Sequence, residues 1–77
     1  MILDMGMEAD HLALADRHIA EGKRRIADQE QLIANLEQDG HDTAAAKSIF
    51  ATLNTTLQRM QEHRQLILDR LAKDPTG

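Results

Sequence analysis

Apolar positions return every seven residues through the first half of the chain. Four consecutive blocks stack: LALADRH (12–18), IAEGKRR (19–25), IADQEQL (26–32) and IANLEQD (33–39), each opening with Leu or Ile followed by Ala. If the opening position is a, then a holds Leu12, Ile19, Ile26 and Ile33, b holds Ala13, Ala20, Ala27 and Ala34, and d holds Ala15, Gly22, Gln29 and Leu36. A strand would alternate with period two. A sustained return of seven specifies a helix with a coiled-coil-like seam, and no proline stands between residues 1 and 74 to interrupt it. The d column is narrow rather than greasy. Gly22 costs about 1 kcal/mol against Ala in a helix interior, so its place on the seam points to close approach by a facing helix. The Ala column at b widens the small-residue sector beyond what one neighbour needs, which points to two neighbours.

Asp39-Gly40-His41-Asp42-Thr43 breaks the pattern. Gly40 suits the left-handed residue that closes a helix. Asp42 suits an N-cap, its carboxylate accepting from the free N–H groups near Ala44 and Ala45. Beyond it, Ala46, Leu53, Met60 and Ile67 form one column (d), and Phe50, Leu57, Arg64 and Leu71 form the next (a). Leu32 and Ile49 are expected to widen the core beside the turn. Arg64 interrupts its column; its stem can pack while its head reaches water or a carboxylate. Asp74 before Pro75 disfavours further helix. The expected boundaries are a helix over about 7–39, a turn at 40–42 and a helix over about 43–73, in one domain. So short a connection makes the helices antiparallel neighbours. The fold class is therefore all-α, an antiparallel two-helix hairpin. Residues whose numbers add to about 80–82 should share a level: Leu36 with Ala46, Ile26 with Leu53 or Phe50, Gly22 with Leu57 or Met60, and Leu12 with Ile67 or Leu71.

Composition changes this picture in one respect. The chain has 77 residues and 8.6 kDa, 42% of it apolar, with no Cys, Trp or Tyr and Phe50 as its one aromatic residue. Eleven of the apolar residues are Ala. A chain this short buries only about 60% of its unfolded surface, and small side chains gain little from that. Met5, Met7, Leu14, Leu66 and Leu68 lie outside the main columns and would leave a lone hairpin wet. The expected remedy is a homodimer, giving a four-helix bundle. Its interface is expected to draw on Leu12, Ile19, Gly22 and Ile26 of the first helix, and on Met60, Leu66, Leu68 and Leu71 of the second.

Several chemistries are excluded or weakened. Without Cys there is neither a disulfide nor a thiolate metal site. No apolar run is long enough to span a membrane, and Met1–Met7 has no basic start or apolar stretch of signal-peptide length, so the expected address is the cytoplasm. A net charge of −4 and a pI near 5.4 argue against general binding to nucleic acid or anionic membranes. Arg17, Lys23, Arg24 and Arg25 form a basic spot with no interleaved aromatic for base stacking; a small nucleic-acid-binding hairpin dimer using them is the alternative function. His18 and His63 should share a level, which makes metal binding a weaker alternative, though their spacing matches no metal motif. There is no Gly-rich phosphate loop, nucleophile elbow or convincing triad, so no enzyme, no catalytic residue, no cofactor and no metal are expected.

The segments LADRHIAEG (14–22), RIADQ (25–29), DGHDT (39–43) and MQEHR (60–64) resemble a group of uncharacterised small bacterial helical-hairpin proteins over His11–Leu68. The resemblance implies a hairpin and brings no activity, ligand or catalytic residue. Among better-known hairpins, the Rop RNA-binding dimers share the architecture without a matching motif. The W-x-G turn of secreted WXG-type hairpins and the proline-containing turn of type III needle subunits are both missing. The expected function is a non-enzymatic protein–protein interaction module of unknown pathway, acting as a homodimeric bundle whose partners are itself and another protein.

Overall fold

The computed structural model describes residues 2–73, with side-chain surroundings from Ala9 onward. It is a hairpin of two helices, α1 (Ile2–Gln38) and α2 (Ala44–Lys73), with no strand among the described residues. α1 begins five residues before the expected position 7, because no proline stops the helix from running back past Gly6 and Asp4. The last described residue of α2 is Lys73; Asp74 and Pro75, and the side-chain surroundings of Met5 and Met7, lie outside the described residues.

The turn is a Schellman closure. Gly40 has φ +77°, its N–H donates to the Glu37 carbonyl at 3.1 Å, and the His41 N–H reaches back to the Leu36 carbonyl at 2.9 Å. A Cβ at Gly40 would meet nothing within 4 Å, so the backbone conformation alone selects glycine here. α2 then starts as Asp42 predicts: its Oδ1 accepts from the Ala44 N–H at 3.0 Å, while the Thr43 carbonyl accepts the first helical bond, from the Lys47 N–H.

Three observations set the register. A Cβ built on Gly22 would lie 2.9 Å from Met60 Cε and 3.4 Å from Leu57 Cδ1; Asp16 pairs with Arg64; Glu37 pairs with Lys47 at 3.3 Å. Partner numbers in these interhelical pairs add to between 79 and 84, centred near 81. The d columns therefore meet small against large: Ala15 level with Ile67, Gly22 with Met60 and Leu36 with Ala46. Gln29, the polar member, donates from Nε2 to the Ala46 carbonyl at 2.9 Å, so its amide is satisfied across the seam.

Burial follows one line of contact. Ala15, Ile19, Ile26, Ala46 and Ile67 are buried, Ile67 most completely at 3% exposure. Leu12, Ile33, Leu36, Phe50, Leu53, Leu57, Met60 and Leu71 are only half-buried. The Cα trace measures 59 × 14 × 13 Å with a radius of gyration of 17.6 Å, against about 11.5 Å for a compact domain of this length. It exposes 6013 Å², where a compact monomer of this mass exposes about 4,700 Å².

Candidate interaction surface

The seven-residue register gives the hairpin two unlike flanks. One carries the e positions: Asp16, Lys23, Glu30 and Glu37 of α1 opposite Lys47, Asn54, Gln61 and Leu68 of α2. It is sewn by the Glu37–Lys47 pair, and the Arg64 Nε donates to Asp16 on the same side. Both pairs are exposed, so they order the flank more than they stabilise it. The b-position Ala column borders it: Ala34 lines a groove with Glu30, Glu37, Lys47 and Phe50. Ala13, Ala20, Ala27 and Ala34 are all exposed, so within this chain α1 has one neighbour rather than the two that their width suggested.

The other flank carries the g positions and, outside them, the c positions. Along g run His11, His18, Arg25 and Leu32 of α1 against Arg70, His63, Thr56 and Ile49 of α2; each of these cross-pairs adds to 81 and so shares a level. At c, Leu14 is level with Leu66, and Glu21 with Arg59. Side-chain contacts agree with this placement. His11, Leu14, Ala15, His18, His63 and Arg70 line one groove, and His18, Glu21, Gly22, Arg25, Thr56 and Met60 line the next. The four exposed large apolar residues among the described side chains lie here: Leu14 at 44%, Leu32 at 44%, Ile49 at 53% and Leu66 at 58%. They form two apolar patches, Leu32 with Ile49 beside the turn and Leu14 with Leu66 far from it. Histidines and arginines lie between and beside them.

The expected interface residues are distributed unevenly over this structure. Ile19 and Ile26 are buried inside the hairpin and Gly22 packs on Met60 and Leu57, so these belong to the seam within one chain. Leu12 and Leu71 are half-buried at its far end, Leu68 is half-buried on the ion-paired flank, and Leu66 is exposed on the apolar one. Leu32 and Ile49, expected to widen the core beside the turn, stand instead at g, off the seam, and are 44% and 53% exposed. The signal for their shared level was present, since their numbers add to 81 as those of His18 and His63 do.

The other candidates fare differently. His18 and His63 do share a groove, with His11 and Arg70 beside them, yet among the described residues no three His, Cys, Asp or Glu side chains cluster to hold a metal ion. The basic spot is divided. Lys23 lines a groove on the ion-paired flank with Asp16 and Arg64, Arg25 lies on the opposite flank, and Arg17 and Arg24, at position f, lie away from α2. Thr52 and Thr55 donate to carbonyls of their own helix, those of Ser48 and Ala51. No helix among the described residues is long and apolar enough to cross a membrane.

These features define a class, a helical hairpin with one ion-paired and one apolar flank. Compared with protein-family models, curated proteins and solved structures, the chain matches none of them.

Proposed function

We propose that this chain is a non-enzymatic, cytoplasmic protein–protein interaction module that works as a homodimeric helical bundle. The observation that carries this reading is the concentration of Leu14, Leu32, Ile49 and Leu66 on one flank, each between 44% and 58% exposed. Large apolar side chains gathered on one exposed flank are costly in water and mark interfaces. The poor burial of the hairpin supports the same reading: about 1,300 Å² more surface is exposed than compactness allows. With the Thr52 and Thr55 hydroxyls engaged in helix hydrogen bonds and the described carboxylates on exposed faces, the surface favours docking over chemistry. A four-helix bundle would leave the charged flanks facing outward for a further protein partner.

Sedimentation equilibrium across a concentration series tests this. Twice the 8.6 kDa chain mass is expected at tens of micromolar. A single species of 8.6 kDa at that concentration would overturn the homodimer.

A further inference from the structure

We infer that a second copy docks on the apolar flank with both turns at the same end, so that α1 of each copy lies on α2 of the other. This rests on the homodimer proposed above and specifies its surface and orientation. The argument is complementarity level by level. In this arrangement the two-fold axis runs along the bundle, and each g or c residue of α1 meets the residue of α2 at its own level. Leu32 meets the partner's Ile49, and Leu14 meets the partner's Leu66, so both apolar patches close on apolar patches. Arg25 meets the partner's Thr56. Glu21 meets the partner's Arg59, forming an opposite-charge pair twice over.

With the turns at opposite ends, α1 would instead lie on its own copy in reverse. Leu32 would fall on the partner's His11, and Ile49 on the partner's Arg70. At the centre, Glu21 would oppose the partner's Glu21, and Arg59 the partner's Arg59. Like charges face each other and apolar groups face cations, which costs affinity and selects against that orientation. The ion-paired flank offers no comparable surface, because its apolar positions are interspersed with Asp16, Lys23, Glu30 and Glu37.

The area is adequate. From His11 to Leu32 the flank is about 32 Å long at 1.5 Å per residue and about 20 Å wide across two helices. That is roughly 640 Å² per copy and about 1,300 Å² in total, above the ~1,000 Å² that a specific interface requires.

The absence of Cys makes single introduced cysteines clean reporters. In an oxidised mixture of the L14C and L66C chains, the mixed 14–66 disulfide is expected to dominate. Cross-linking of H11C with L32C instead would mean turns at opposite ends and would overturn the orientation. Leu66→Asp is expected to raise the dimer dissociation constant at least about 30-fold. Gln61→Asp on the other flank should leave it within about twofold. Leu66 is 58% exposed, so its replacement spares the seam, and far-UV circular dichroism would confirm retained helix. A dimer indifferent to Leu66→Asp would overturn the surface while leaving the homodimer intact; a chain monomeric throughout would overturn both. Glu21→Arg should weaken the dimer, and the charge-swapped E21R/R59E chain should recover it.

Discussion

Gly22 shows how a single missing side chain sets the helix spacing. Its position at d brings α2 so near that a methyl group would press on Met60 Cε at 2.9 Å and touch Leu57 Cδ1 at 3.4 Å. The tighter neighbour is the free end of a flexible side chain, which can swing aside at small cost. Glycine also forfeits about 1 kcal/mol of helix propensity relative to Ala. The two effects oppose each other, and the propensity gain is larger. Gly22→Ala is therefore expected to stabilise the fold by up to about 1 kcal/mol in a urea melt, whereas Gly22→Leu, which no swing of Met60 can accommodate, should cost about 1–3 kcal/mol. A destabilised Gly22→Ala chain would show that Met60 is held rigid. Gln29 makes the complementary point. It looked like a defect in the d column, but its amide is satisfied by the Ala46 carbonyl, and a polar residue on a seam is tolerable when its hydrogen bond is made.

At the scale of the helix, Arg64 is the informative interruption. It occupies an a position level with Ile19, and its guanidinium leaves the seam to meet Asp16. Both side chains remain substantially exposed, 38% for Arg64 and 52% for Asp16, so the pair contributes about 0–1 kcal/mol. Leucine at this position would trade that for apolar contact with Ile19. Arg64→Leu is accordingly expected to change stability by less than about 1 kcal/mol, with neutral to slightly favourable sign; a loss of several kcal/mol in thermal unfolding would mean that the charge pair is buried in solution. The elements themselves were legible in the sequence because each left an unambiguous mark: the sevenfold return of Ile and Leu, Gly40 at the left-handed position, Asp42 at the cap and Pro75 after the second helix. The start of α1 was not legible, since Asp4 has the side chain of a cap and Gly6 weakens a helix, yet without a proline the helix runs through both to Ile2. The register was readable to about half a turn. Deciding within that range required the side-chain fit of Gly22 against Met60 and the two ion pairs, which depend on rotamers rather than on residue spacing. The candidate surface was half legible for a related reason. Periodicity finds the seam at once, but Leu32 and Ile49 read as an extension of the core until the structure shows that two helices alone leave the g positions exposed.

At the scale of the whole molecule, the apolar flank carries fixed charges beside its two patches. Arg25, Arg59 and Arg70 lie on it, with Glu21 and Asp28 as the acidic groups on the same side. In the proposed dimer Glu21 meets the partner's Arg59 at the rim of the contact, while Leu14, Leu32, Ile49 and Leu66 supply the apolar burial. Salt screens exposed charge pairs beyond about 8–10 Å and leaves apolar burial almost untouched. The dimer dissociation constant is therefore expected to change by less than about threefold between about 50 and 500 mM salt, in sedimentation runs at fixed pH. A rise of about tenfold or more would mean that ion pairs, rather than the leucine-rich patches, hold the two copies together, and the apolar flank would lose its claim to the interface.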